Sequence, residues 1–163
     1  MPKINRFEDL ECWQEARKLV QLVYAAVGNS KAFEKDLRFA GQITAAGVST
    51  MNNIAEGWAA QTNAEFIRFL TYSRRSCAEV QNCGYVALDQ GYLTQQGFEA
   101  LYAQALKTMQ IVDGLLRYLR AHRSQRSKRS QRSQRSHDNN LGRLPPRIAY
   151  RACSHARCGE AWP

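Results

Sequence analysis

Long apolar runs are missing from this sequence, so it contains no candidate membrane-spanning helix. The longest apolar stretches are only a few residues, whereas crossing a bilayer takes roughly 20. The N-terminal residues also lack the apolar block and the small-residue cleavage site of a signal peptide. We therefore expect a soluble, cytoplasmic protein that has no membrane partner.

Proline is absent between Pro2 and Pro145, and no stretch shows the strict polar–apolar alternation that is typical of a strand. Helices can therefore run for many residues without a break imposed by proline. The chain has 163 residues, which is enough to bury a core without help from disulfides or a metal. These features predict an all-α protein.

Histidine is scarce, since the chain has only His122, His137 and His155. A di-iron bundle needs Glu-x-x-His pairs on two helices, and none of these histidines follows a glutamate at that spacing. A nucleophile paired with histidine cannot be built from the helical core positions either, and the glycine-rich phosphate-binding motifs are missing. We expect no enzymatic activity, no metal and no cofactor.

The five cysteines do not form a disulfide framework, because their number is odd and three of them are scattered through helical pattern. Cys12, Cys77 and Cys83 are interpreted as small apolar residues in a reducing compartment. Cys153 and Cys158 flank His155, but a zinc site needs a fourth ligand and usually a tighter cysteine spacing. We interpret that group as a chance cluster.

The net charge of +9 is concentrated at one end of the chain. Residues 1–120 contain 13 Lys+Arg against 12 Asp+Glu, and residues 121–163 contain 10 against 2. The first part is therefore nearly neutral, and almost all of the basic charge belongs to the C-terminal segment. An affinity for nucleic acid that rests on overall charge is predicted for that segment.

Apolar residues recur at helical spacing over four stretches, residues 7–27, 33–58, 62–88 and 94–119. Helices of similar length that are joined by short connections pack antiparallel to their neighbours. The prediction is an up-down-up-down four-helix bundle over residues 1–121. Residues 122–163 are predicted to form a disordered tail rich in Arg, Ser and Gln, because residues 123–136 have no apolar side chain to offset the entropy of ordering.

Helix starts are indicated by short-range capping patterns. Asn5 with Glu8 and Thr62 with Glu65 have the spacing of capping boxes. Thr94 is the expected cap of the last helix.

The second helical stretch has a predicted core stripe and, beside it, a line of mostly polar residues. The stripe consists of Leu37, Thr44, Val48, Met51, Ala55 and Trp58. The line consists of Gln42, Ala46, Ser49, Asn53 and Glu56. It is either an ordinary solvated face or a hydrogen-bonded seam between helices or subunits. In the second case the third helix offers Arg75, Ser76 and Glu79 as partners.

Several short motifs resemble those of a known family. They are Phe7-x-Asp9-Leu10-x-x-Trp13-x-x-Ala16, Asn53-Ile54-Ala55-Glu56-Gly57, Phe69-Leu70, Glu79 and Gly91-Tyr92. In order and spacing they resemble the bacterial four-helix-bundle proteins encoded in intervening sequences of 23S ribosomal RNA genes. The resemblance covers residues 5–120.

The resemblance implies a left-handed bundle, assembly as a homopentamer and no established enzymatic activity. It also implies kinship with the accessory variability determinant protein of diversity-generating retroelements, which partners a reverse transcriptase and binds nucleic acid. The motif positions carried over to this chain as a helix seam are Asn53, Glu56, Gly57 and Glu79.

Two departures from the family pattern concern cations. Ile43-Thr44 stand where family members usually carry two arginines, and Arg75-Ser76 replace a Gly-Ser pair. The first departure weakens a nucleic-acid role for that face of the bundle. Arg74 and Arg75 partly restore it from the neighbouring helix.

The basic segment has two interpretations. Its cations can bind RNA or DNA phosphates without sequence preference and with strong salt dependence. Alternatively, the repeated Ser-Gln-Arg triplet arose by slippage in a short DNA repeat and is not selected. Under the first interpretation the contact residues are Arg123, Arg126, Lys128, Arg129, Arg132 and Arg135.

Two functional hypotheses follow. The first is a non-enzymatic homo-oligomeric bundle, a pentamer by resemblance, that binds RNA or DNA or partners a protein such as a reverse transcriptase. The second is a structural or accessory assembly protein without nucleic-acid contact. Aromatic residues of the type enriched at subunit interfaces are Tyr24, Trp58, Tyr72, Tyr85 and Tyr102.

Overall fold

A computed structural model describes residues 4–141, with side chains described up to residue 122 and at residue 124. After a 3₁₀ turn at Phe7–Asp9 come five α-helices and, within the described residues, no strand. The helices are α1 (Glu11–Gly28), α2 (Lys31–Lys35), α3 (Leu37–Ala59), α4 (Asn63–Asp89) and α5 (Gln95–Leu141). The predicted all-α class is confirmed. No helix in the described part of the chain is both long and apolar enough to span a bilayer.

The chain divides into two units, Met1–Gln125 and Arg126–Pro163. In the first unit, the helices pack into a bundle around two apolar clusters. One cluster joins the C-terminal part of α1 to α2, the beginning of α3, the C-terminal half of α4 and the beginning of α5. The other joins the opposite portions of α1, α3, α4 and α5. Buried free cysteines lie in both clusters, which confirms their interpretation as apolar residues: Cys12, Cys77 and Cys83.

Side-chain contacts link α3 to α4 and α4 to α5. Ser49 of α3 contacts Ser76 of α4, and farther along α3 Thr50 accepts a hydrogen bond from Ser73, nearer the start of α4. On α4 and α5, Tyr85 contacts Tyr102 with their ring centres 5.8 Å apart. The apolar residues that recur at helical spacing in α4 and α5 supply much of the core, among them Leu70, Cys77, Val80, Leu101, Val112 and Leu116.

The helix starts follow local capping chemistry, with one correction. The Thr62 hydroxyl accepts from the Glu65 N–H at 3.2 Å and donates to the Glu65 carboxylate at 2.9 Å. The Thr94 hydroxyl accepts from the N–H at residue 97 at 3.1 Å. The capping box predicted for Asn5 with Glu8 is wrong, because Asp9 accepts the N–H groups of residues 5 and 6 instead.

The stretch predicted as one helix over residues 33–58 is broken at Asp36. Asp36 has φ −80° and ψ 71°, outside helical geometry, and its carboxylate accepts the N–H of Phe39 at 3.1 Å. The break turns the chain so that Phe33 of α2 stacks against both Phe39 and Tyr92, whose ring centres lie 5.4 Å and 5.0 Å from its own. The short α2 therefore covers one end of the core with a fully buried aromatic ring.

The predicted core stripe of α3 is also wrong. Leu37 is 80% exposed, and the buried residues are Ala40, Ile43, Ala46, Gly47, Thr50, Ile54 and Gly57. Most members of the true stripe lie one position before the predicted ones, which corresponds to a rotation of about 100° around the helix axis. Small residues occupy the buried side and let the neighbouring helices approach α3 closely.

The last helix is longer than predicted. Its expected end near residue 121 and the disorder expected from residue 122 are replaced by α-helix through Leu141. No proline or glycine occurs between residues 115 and 141, and Arg and Gln have good helix propensity, so the local sequence favours continuation. The remainder of the predicted tail, residues 142–163, lies outside the described residues.

Candidate functional site

A polar seam joins α3 to α4 along the buried side of their interface. The hydroxyls of Ser49 and Ser76 are 3.0 Å apart, and the Ser73 hydroxyl donates to the Thr50 carbonyl at 2.8 Å. Asn53 donates its amide N–H groups to the Ser49 carbonyl at 2.8 Å and to the Ser49 hydroxyl at 3.0 Å. The seam consists of neutral groups with partners, which is the condition for burying them.

Gly57 lies near the end of α3, just before the turn to α4, where its backbone packs closely against Phe66 and Phe69 of α4. A Cβ at this position would be 2.7 Å from Cδ2 of Phe66 and 2.9 Å from Cβ of Phe69. Even alanine is too large unless α4 moves. Together with the fully buried Ile54, Gly57 gives the Asn-Ile-Ala-Glu-Gly block a packing role at the α3–α4 turn.

Glu56 and Glu79 do not take part in the seam. Both side chains are exposed, and neither forms an ion pair with another described residue. Of the three α4 partners expected from the sequence, only Ser76 reaches the α3 line. The structure therefore packs Gly57 against α4 and holds Asn53 on Ser49 within α3, and it leaves the two carboxylates on the surface.

Arg74 and Arg75 point to different neighbours. Arg74 forms an ion pair with Asp113 of α5 at 2.8 Å, so part of its charge is compensated. The Arg75 guanidinium lies over the ring of Tyr72, 5.9 Å from its centre. The remaining predicted contact residues lie beyond the described side chains: Arg123, Arg126, Lys128, Arg129, Arg132 and Arg135.

A charged cluster between α1 and α5 was not found by sequence reasoning. Glu15 is only 7% exposed and is held by Lys18 at 2.7 Å, Lys107 at 3.1 Å and the Gln104 amide at 2.8 Å. These partners, Lys18 first and then Gln104, lower the pKa of the Glu15 carboxyl to about 2. The sequence does hold a signal for this buried carboxylate. Glu15 stands three residues after Cys12 and four before Leu19, a spacing that places it on the apolar side of α1.

A surface groove of about 640 Å³ follows the exposed side of α1 near its start. Phe7 packs edge-on against Trp13, with ring centres 5.2 Å apart, and the Arg17 guanidinium lies 5.9 Å from the centre of the Trp13 ring. The groove is lined by Arg6, Glu8, Trp13, Gln14, Arg17, Lys18 and Gln21. Three cations and one carboxylate thus surround a half-buried indole.

Large apolar side chains also reach the surface. Of the five aromatic residues predicted as interface candidates, Tyr24, Tyr72 and Tyr85 are 55%, 41% and 50% exposed, whereas Trp58 and Tyr102 are half-buried. Further exposed apolar residues are Leu37, Val86, Leu106 and Tyr118. Within the described residues, no three His, Cys, Asp or Glu side chains come together as a metal-binding group.

Comparison with known proteins points to one family. Residues 8–114 match the model of the family described as 23S rRNA-intervening sequence protein. A crystal structure from Bacteroides thetaiotaomicron VPI-5482, titled as a protein with unknown function from the S23 ribosomal protein family, is similar in fold with a TM-score of 0.60. It is 19% identical, and the match covers 65% of this chain and 95% of that one. No curated protein matches the chain.

Proposed function

The chain belongs to the family of 23S rRNA-intervening sequence proteins, and we propose that it is a non-enzymatic, cytoplasmic assembly protein that binds nucleic acid or accompanies a nucleic-acid-processing protein. The carrying observation is the separation of charge. Residues 1–120 are nearly neutral, while residues 121–163 carry ten cations and two carboxylates. Such a segment neutralises phosphates and releases counterions, without a need for base recognition.

The proposed assembly is a homopentamer of left-handed, up-down-up-down four-helix bundles. The antiparallel α3–α4 and α4–α5 pairs support this topology. Exposed apolar side chains such as Tyr24, Tyr85 and Leu106 provide surface for subunit contacts, since aromatic residues are enriched at interfaces. Five copies of the basic segment then act together, which raises the avidity for one nucleic-acid strand.

The proposed partner rests on the kinship with the accessory variability determinant protein that the family resemblance implies. A reverse-transcriptase-like protein bound to RNA or DNA presents phosphates that the basic segment can contact. The near-neutral bundle supports a second candidate, a structural accessory protein without nucleic-acid contact, because its described surface has no large excess of cations.

A binding experiment on the full chain distinguishes the two candidate functions. The measurement is fluorescence anisotropy of a labelled single-stranded RNA at about 50 mM and 200 mM salt, with light scattering of the same samples. A matched variant replaces six cations by glutamine: Arg123, Arg126, Lys128, Arg129, Arg132 and Arg135. We expect an oligomer whose RNA affinity falls steeply with salt and falls at least tenfold in the variant. A monomer that binds no RNA would refute the proposal.

A further inference from the structure

We infer that the groove beside Trp13 is a second nucleic-acid contact, which takes an unpaired base of a single strand and its neighbouring phosphates. The inference rests on the proposed function, because it names a site on the bundle for the same class of ligand. Phe7, Asp9 and Trp13 belong to the block that precedes and opens α1, and the groove lies along that block.

The groove has a fixed aromatic wall. Phe7 meets Trp13 edge-on at 5.2 Å, and Trp13 also packs against the apolar cluster at this end of the bundle. The indole is therefore held in one place while part of it stays accessible. Stacking of a base on such a ring is tolerant of sequence, because every base has a flat aromatic face.

The cations of the groove differ in how far they are already compensated. Arg6 pairs with Asp9 at 3.2 Å, and Lys18 pairs with Glu15 at 2.7 Å. Glu15 is shared with Lys107, so the three charges sum to +1. Arg17 forms no ion pair with any described residue and instead lies over the indole. A phosphate beside Trp13 therefore meets one uncompensated guanidinium and an ammonium from the shared cluster, against the single lining carboxylate of Glu8.

The remaining lining suits the edge of a base. Gln14 donates its side-chain amide to the Glu8 carbonyl at 3.0 Å, which fixes its orientation and leaves its amide oxygen as an acceptor. Gln21 lines the groove one turn beyond Arg17. The available space of about 640 Å³ is within the range of small-ligand clefts, roughly 300–1,000 Å³. An unpaired base fits this combination of ring, cation and amide, whereas a base inside a duplex cannot reach the ring.

Two measurements on the full chain test the site. The first compares Arg17→Gln with Arg38→Gln, an equal loss of charge at an exposed position of α3. With a labelled single-stranded oligouridine, we expect Arg17→Gln to weaken binding about three- to tenfold and to reduce the salt slope by about 1. Arg38→Gln should change the affinity less than twofold. Equal effects of the two variants would overturn the inference.

The second measurement follows Trp13 directly. In a chain with Trp58→Phe and Trp162→Phe, Trp13 is the remaining tryptophan, and oligouridine should quench its fluorescence. A duplex RNA of the same length, or an oligoglutamate of the same charge, should not. Absence of quenching, or quenching by oligoglutamate, would overturn the inference. Both measurements are repeated with the six C-terminal cations replaced by glutamine.

These outcomes separate the site from the general function. If the full chain binds no RNA, the proposed function fails. If it binds RNA but Trp13 stays unquenched and Arg17→Gln matches its control, the groove is refuted and the basic segment keeps the binding role.

Discussion

The α3–α4 interface is joined by neutral hydroxyl and carbonyl groups, whereas the α1–α5 interface encloses a carboxylate between two lysines and an amide. In the first, Ser49 bonds to Ser76 and Ser73 bonds to the Thr50 carbonyl, because the helices are close enough for short side chains to bridge them. In the second, long side chains reach Glu15 from the rim of the interface. The strength of the neutral hydrogen bonds is set by how closely α3 and α4 approach each other. The strength of the Glu15 ion pairs also changes with pH and salt concentration.

The largest expected effect tests the close approach of α3 to α4. Gly57→Ala places a Cβ within 2.9 Å of the Cβ of Phe69, an atom that cannot turn aside without a shift of α4. We expect a loss of about 2–3 kcal/mol in the free energy of unfolding, since overpacking costs that much. Urea denaturation measures it. The control is Gly41→Ala in the same helix, which meets nothing within 4 Å and should be neutral or stabilising by up to about 1 kcal/mol.

The next effect tests the charged contact. The pKa of Glu15 is lowered from 4.5 to about 2, so its charged form stabilises the fold. This stabilisation is complete above the unfolded pKa and is lost as the pH falls toward 2. Because both lysines are more than half exposed, solvent screens the pairs, and we expect Glu15→Gln to cost about 1–2 kcal/mol at pH 7.

The pH dependence supplies the control. Urea denaturation of the protein and of Glu15→Gln should show a stability difference that shrinks steadily between pH 4.5 and pH 2. Glu79→Gln, at an exposed position of α4, should differ little from the protein at any of these pH values. A difference for Glu15→Gln that is the same at pH 7 and pH 2.5 would contradict the electrostatic account.

A smaller effect is expected in the neutral seam. A double-mutant cycle with Ser49→Ala and Ser76→Ala isolates the bond between the two hydroxyls, which lie 3.0 Å apart. We expect a coupling energy of about 0.5–1 kcal/mol, typical of a neutral hydrogen bond between contacting residues. The coupling should not change between pH 7 and pH 4. No measurable coupling would mean that this pair of hydroxyls does not stabilise the α3–α4 interface.

The smallest effect concerns the exposed ion pair between Arg74 and Asp113. Both side chains are more than a third exposed, at 47% and 40%, so the pair should contribute less than about 1 kcal/mol. A cycle with Arg74→Gln and Asp113→Asn measures it at low and high salt. A coupling above about 1.5 kcal/mol, or one that salt leaves unchanged, would place this pair with the buried contacts instead.

The parts of the fold that were predictable depend on short stretches of sequence. The Thr62 hydroxyl accepts a hydrogen bond from the Glu65 N–H within one helical turn, and the Thr94 hydroxyl accepts one from the N–H three residues later. The helical spacing of apolar residues over 62–88 and 94–119 was also informative, because in both stretches these residues lie on one face of the helix and many of them are buried. The predicted oligomer, the nucleic-acid contacts and the domain boundary near residue 121 stay predictions.

The candidate sites were less accessible to sequence reasoning. Asn53 was identified as a seam residue, but Glu56 and Glu79 were grouped with it although they lie on the surface. Glu15 was missed because a glutamate is usually exposed, and its three partners come from one turn away and from a helix about 90 residues later. The Trp13 groove was missed because most of its lining residues are polar or charged, and such residues are also expected on any exposed helix face.

The sequence by itself determined the helical class, most helix ends and the location of the basic charge, since each depends on local propensity, capping or composition. Only the tertiary structure decided which side of α3 is buried and that Glu15 is held between two lysines. The physical reason is that large residues alone do not select the buried side of α3. Gly47, Thr50 and Gly57 face inward because close helix packing needs small residues there, and that requirement exists only once α1 and α4 are in place.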